Sequence, residues 1–112
     1  MKLLSYKGYT GSFEYSVEDN ILYGRVLGIK SLIMYEGKTV KSLIKDFHDA
    51  VDNYINSCII DNIEAEKPFK GSFNVRIDSS LHEKGIKLAY SNNISLNKLV
   101  ENAIDYYINN HI

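Results

Sequence analysis

Gly71-Ser72-Phe73-Asn74-Val75-Arg76-Ile77 is the stretch on which the fold turns. Phe73, Val75 and Ile77 alternate with Ser72, Asn74 and Arg76, the period of a strand with one apolar and one polar face. A lone strand of this kind leaves its edges unpaired and its apolar face wet. The simplest remedy is a copy from a second chain. The paired ribbon would then turn two sets of Ser, Asn and Arg side chains outward. Asn and Arg hydrogen-bond adenine and guanine edges bidentately, and a two-stranded ribbon fits the DNA major groove.

Downstream, Asp78 or Ser79 can cap a helix from about Ser80 to Ser91, with Leu81, Leu88 and Ala89 on its inner face. Gly85 weakens that helix by ~1 kcal/mol relative to Ala. Asn92-Asn93 ends it, Asn93 being suited to a left-handed conformation. Ser95 caps a last helix whose Leu96, Leu99, Val100, Ala103, Ile104, Tyr107 and Ile108 form the strongest periodic signal in the chain. So apolar a face needs more core than about forty residues can hold, and a dimer supplies it. The expected shared core is Phe73, Val75, Ile77, Leu96, Leu99, Val100, Ala103 and Ile104.

Upstream, Asp61, Asn62, Glu64, Glu66 and Lys67 are polar and Pro68 is the only proline in the chain, which marks residues 61–70 as a linker between domains at 1–60 and 71–112. In the first domain Tyr9 to Val17 alternates, Glu18-Asp19-Asn20 is a turn signal, and Ile21 to Leu27 is a second strand. Leu32 to Tyr35 makes a third. Thr39 is a suitable N-cap for a helix to about Ser57, with Val40, Leu43, Ile44, Phe47, Val51, Tyr54, Ile55 and Cys58 at the 3.6-residue period. The expected class is α+β: an N-terminal β-β-β-α antiparallel sheet with a packed helix, then strand-helix-helix.

The 112 residues suffice for one ordinary domain or two very small ones. A hydrophobic content of 45% with 24% charged residues belongs to a folded protein rather than a disordered one. The net charge of −1 excludes a generically basic nucleic-acid binder. Residues 1–67 carry 8 basic and 10 acidic side chains, residues 68–112 carry 5 and 4. DNA binding therefore has to come from placed contacts and dimer avidity. With Cys58 alone no intrachain disulfide can form. The start, Met1-Lys2-Leu3-Leu4-Ser5-Tyr6-Lys7, lacks a signal-peptide apolar run, and nothing approaches the ~20 apolar residues of a membrane span. The expected location is the cytoplasm, with no membrane partner.

Strand-helix-helix with Phe73-Asn74-Val75-Arg76 in the strand resembles the ribbon-helix-helix DNA-binding fold of the Arc and MetJ repressors. That resemblance implies base reading by Ser72, Asn74 and Arg76. It also implies a phosphate held at the N-terminus of the last helix, by Ser95 and the backbone N–H groups after it. Further pieces lie in the first domain: Tyr6-Lys7-Gly8-Tyr9-Thr10-Gly11-Ser12, Leu22-Tyr23-Gly24-Arg25-Val26-Leu27-Gly28-Ile29, Tyr35-Glu36-Gly37-Lys38-Thr39-Val40 and Phe47-His48-Asp49-Ala50-Val51-Asp52-Asn53-Tyr54. With these, nearly the whole chain is similar to HicB antitoxins. The resemblance implies a partial ribonuclease-H-like first domain without nuclease activity. It implies two partners, a HicA-like mRNA-cleaving toxin and operator double-stranded DNA, bound by a homodimer or a higher oligomer. No cofactor, metal or catalytic residue is expected, and no particular residue is assigned to the toxin.

His48 and Asp52 have the helical spacing of metal ligands, but no third ligand is placed by the sequence. Glu14, Asp19, Asp46 and Asp49 would have to converge at strand ends to act as a nuclease. Cys58 has no basic activator nearby in sequence and reads as a core thiol. Tyr6, Tyr9, Tyr15, Tyr23 and Tyr35 divide between sheet packing and a protein interface. The main alternative to an antitoxin is a stand-alone ribbon-helix-helix repressor whose first domain senses a ligand or mediates assembly.

Overall fold

Lys7 and Gly8 both have positive φ, 50° and 82°, which is the backbone of a type I′ turn. They close a hairpin between β1 (Leu4–Tyr6) and β2 (Tyr9–Gly11), with Tyr6 opposite Tyr9. This computed structural model describes residues 3–111; Met1, Lys2 and Ile112, at the outer ends of the two expected domains, lie outside them. The chain divides into two compact units, Met1–Ser72 and Phe73–Ile112.

In the first unit the expected strand from Tyr9 to Val17 is broken. Ser12 and Phe13 belong to no strand, and β3 is only Glu14–Ser16. It pairs antiparallel with β4 (Ile21–Arg25), which pairs antiparallel with β5 (Met34–Gly37). The break lets one edge turn from the first hairpin to the three-stranded sheet. A bridge from Gly11 to Val26 and the bond from Ser12 N–H to the Arg25 carbonyl (2.9 Å) keep the two pieces joined. The sequence pattern predicts three strands in this unit; its described residues form five, because β1 and β2 are only three residues each and the break at Ser12 and Phe13 falls inside an alternating stretch.

Helix α1 (Val40–Ile60) starts where Thr39 predicts. The Thr39 and Ser42 side chains each accept the other's backbone N–H, a reciprocal capping box. It ends with Asn62 in the left-handed region (φ 56°) and Ile63 N–H reaching back to the Cys58 carbonyl. Its inner face carries Leu43, Phe47 and Val51, all essentially without solvent exposure, against Tyr9, Val26 and Tyr35. The Tyr35 hydroxyl donates to the Ser12 carbonyl inside this core. Burial pushes its pKa up to about 12, so it stays a donor. Cys58 is a buried free thiol.

Residues 61–70, read as a linker, are tied to the first unit. Glu66 is the fastener. Its carboxylate accepts from the N–H groups of Lys30 (2.7 Å) and Ser31 (3.1 Å) and from the Ser31 hydroxyl. Its N–H reaches the Tyr54 hydroxyl at 2.9 Å, and its carbonyl accepts from Tyr9 at 2.7 Å. The Phe69 ring lies where a Cβ on Gly28 would stand, and Gly28 has φ +76°. Only glycine fits both demands.

The second unit has α2 (Ser79–Ser91), capped by Asp78, and α3 (Leu96–Asn109), capped by Ser95. Between them Asn93 has φ 57°, and the N–H groups of Asn93 and Ile94 bond the carbonyls of Tyr90 and Ala89. This Schellman turn reverses the chain so that α2 and α3 pack together. Among the described residues, no helix is long and apolar enough to cross a membrane.

Candidate nucleic-acid interface

Ser72, Asn74 and Arg76 are all exposed, and so are Phe73, Val75 and Ile77 between them. Residues 72–78 form no strand. The physical reason is plain: a strand is defined by a partner, and among the described residues this segment has no second edge to pair with. Phe73 is 72% exposed, a severe penalty for a ring of that size in a folded unit. Arg76 makes no ion pair or hydrogen bond among the described residues.

The helices repeat the pattern. Of the second unit's described residues only Ala89 is buried. The α3 stripe is where its period puts it, on one face, but that face is uncovered. Leu96, Val100 and Ile104 remain 36%, 37% and 42% exposed. Together with Val75, Ile77 and Leu81 they line an open apolar groove of about 880 Å³. Gly85 faces Leu96 and Leu99 across the α2–α3 contact; a Cβ there would sit 3.6 Å from each side chain, an ordinary distance. The glycine is thus not required by α2–α3 packing within one chain.

At the start of α3 the Ser95 hydroxyl accepts from Lys98 N–H at 3.0 Å, and the Ser95 carbonyl accepts from Leu99 N–H. The N–H groups of Leu96 and Asn97 belong to the first turn and have no helical acceptor. They are the groups an anion would meet, and the helix dipole favours that charge.

In the first unit the weighed pairs take structural roles. His48 stacks on Tyr6 with ring centroids 4.0 Å apart. Asp52 accepts from the Tyr6 hydroxyl (3.0 Å) and pairs with Lys7 (2.7 Å). The Lys7 hydrogen bond, above all, lowers the Asp52 pKa. These contacts pin the first hairpin onto α1. Among the described residues, no three His, Cys, Asp or Glu side chains are grouped so as to hold a metal ion. The tyrosines divide: Tyr9 and Tyr35 are core, Tyr6 and Tyr23 half-buried, Tyr15 exposed. The sequence alone could not sort them, because the sorting depends on strand register.

Two surfaces therefore stand out in the second unit, the exposed polar side chains of Asn74 and Arg76 and an uncovered apolar groove that Arg76 also lines; Ser72 is the last residue of the first unit. No curated protein and no solved structure matches the chain. The HicB family model matches residues 54–104, from the end of α1 through α2 into α3, and supports a relationship of this chain to the HicB family.

Proposed function

We propose that this chain is the antitoxin of a type II toxin–antitoxin pair. Its first unit captures a HicA-like mRNA-cleaving toxin, and its second unit represses the operon as a ribbon-helix-helix dimer. One observation carries the regulatory half. Among the described residues of this unit of about forty, a single side chain is buried, Ala89, while the α3 stripe and the apolar side of residues 73–77 lie open together. A second copy would cover both at once. Two 72–77 segments would pair as an antiparallel ribbon, and the two α3 stripes would close over Phe73, Val75 and Ile77. Ser72, Asn74 and Arg76 then face outward for base edges, and the free N–H groups after Ser95 meet a phosphate on each side. The HicB match over residues 54–104 supports the antitoxin role.

The test separates the two jobs. Arg76→Ala should weaken operator binding by about 1–3 kcal/mol and relax sequence preference. The same variant should still rescue growth of cells expressing the toxin. Loss of rescue with DNA binding intact would contradict the division of labour.

A further inference from the structure

The three-stranded sheet of the first unit has two faces, and α1 covers only one. Register puts Leu22, Gly24 and Tyr35 on the α1 side. It puts Glu14, Ile21, Tyr23, Arg25, Met34 and Glu36 on the other. Among the described residues no helix of the same unit packs over that outer face, and Met34 is 62% exposed there. Ile21, Tyr23 and Met34 form an apolar strip. Asp19, from the β3–β4 turn, and Asp46, from α1, reach its rim and enclose a groove of about 380 Å³. Asp46 also seals the β5 edge, accepting Glu36 N–H at 2.9 Å, which blocks strand addition at that position.

The charge on this face is one-sided. Against Glu14, Asp19, Glu36 and Asp46 the register sets one cation of the sheet, Arg25; Lys45, bonded to Asp49, also feels Asp46, and among the described residues none of the four is in a salt bridge. On the solvent side of α1, by contrast, Asp49 and Asp52 are each paired with a lysine. An apolar strip ringed by an excess of carboxylates outside any salt bridge suits a partner that brings lysine or arginine around an apolar contact. Nucleic acid and anionic membranes would be repelled. So would a second copy of the same face, since a two-fold contact sets like against like.

We propose that the outer face of β3–β4–β5 is the surface that grips a basic, RNA-binding protein, its carboxylates occupying the positions where that partner would hold phosphates. This rests on the toxin-capture reading and locates it. RNA-binding proteins present cationic side chains to the phosphate backbone. Blocking that surface would keep the partner from RNA without any chemistry.

The test uses the full chain and the purified product of the adjacent open reading frame, with affinity measured by calorimetry at low and raised salt. Glu14→Lys/Glu36→Lys should weaken binding at least about tenfold, and Met34→Glu should weaken it as well. The control Asp61→Lys/Glu64→Lys makes the same change in net charge at exposed positions off this face, and should bind within about threefold of the parent. Wild-type binding should fall as salt rises. Thermal melts establish that each variant is folded. If the wild type and the face variants bind alike, the face is wrong and toxin capture stands. A change in oligomeric state with toxin binding retained would assign the face to a second copy and overturn the proposal. If the folded wild-type chain does not bind the protein at all, the capture reading fails, and this inference with it.

Discussion

The first unit covers the apolar face of its helix, and the second leaves that of its last helix open. Phe47, Leu43 and Val51 lose all or nearly all contact with water under a sheet of their own chain. Leu96, Val100 and Ile104 have equally regular spacing and stay more than a third exposed. Both helices are well capped and both are amphipathic. Local propensity therefore does not distinguish them; what differs is whether the same chain supplies the opposing layer. Amphipathic periodicity reports a face that must be covered, and says nothing about whose side chains cover it.

The largest expected effect tests the second half of this contrast. Leu99→Asp puts a charge in the stripe and should abolish both assembly of the second unit and DNA binding, because an unpaired carboxylate cannot be buried there. The melting of the first unit should not change. Next is the first unit's core: Phe47→Ala should cost about 3–5 kcal/mol in its chemical denaturation, with the oligomeric state unaltered. Smaller is Gly85→Ala. It should stabilise α2 by about 1 kcal/mol, read as a higher melting temperature of the second unit, since the added methyl meets Leu96 and Leu99 at an ordinary 3.6 Å. A drop instead would mean that another helix approaches Gly85 closely in the assembly.

The smallest effect concerns acid. Hydrogen bonds from Ser31, and then from the Lys30 N–H, draw the Glu66 pKa down to about 2 from an ordinary 4.5. A carboxylate lowered on folding stabilises the fold above its unfolded pKa. That contribution is lost as pH falls from about 4.5 towards 2. Glu66→Gln should flatten the fall in the first unit's melting temperature over that range. A residual slope should remain, because the Asp52 pKa is also lowered, first by its bond to Lys7.

Legibility in the sequence followed the range of the interactions. Thr39, Asp78, Ser95 and Asn93 act within four residues of themselves, and each stands in the cap or turn it signals. The β1–β2 hairpin escaped notice because its turn is Lys7-Gly8 rather than Asn-Gly, and its strands are three residues long. The attachment of residues 61–70 was illegible for another reason. Glu66 finds its partners about 35 positions away, at Lys30 and Ser31, and composition marked it only as polar. The acidic outer face is hidden likewise: Glu14, Asp19 and Asp46 are visible in the sequence as carboxylates, but only the strand register places them beside Met34 and Glu36. Ser72, Asn74 and Arg76 are exposed, but so are Phe73, Val75 and Ile77 between them, so within one chain the alternation sorts nothing, and pairing as a ribbon needs a second chain.

Sedimentation and far-ultraviolet melting of the full chain across a hundredfold range of concentration test the central claim most directly. A second unit that folds only as a pair gives a dimer whose helical signal from residues 79–109 is lost on dilution, at a melting temperature that rises with concentration, while the first unit melts independently of it. A monomer with all three helices intact, melting at one concentration-independent temperature, would contradict it.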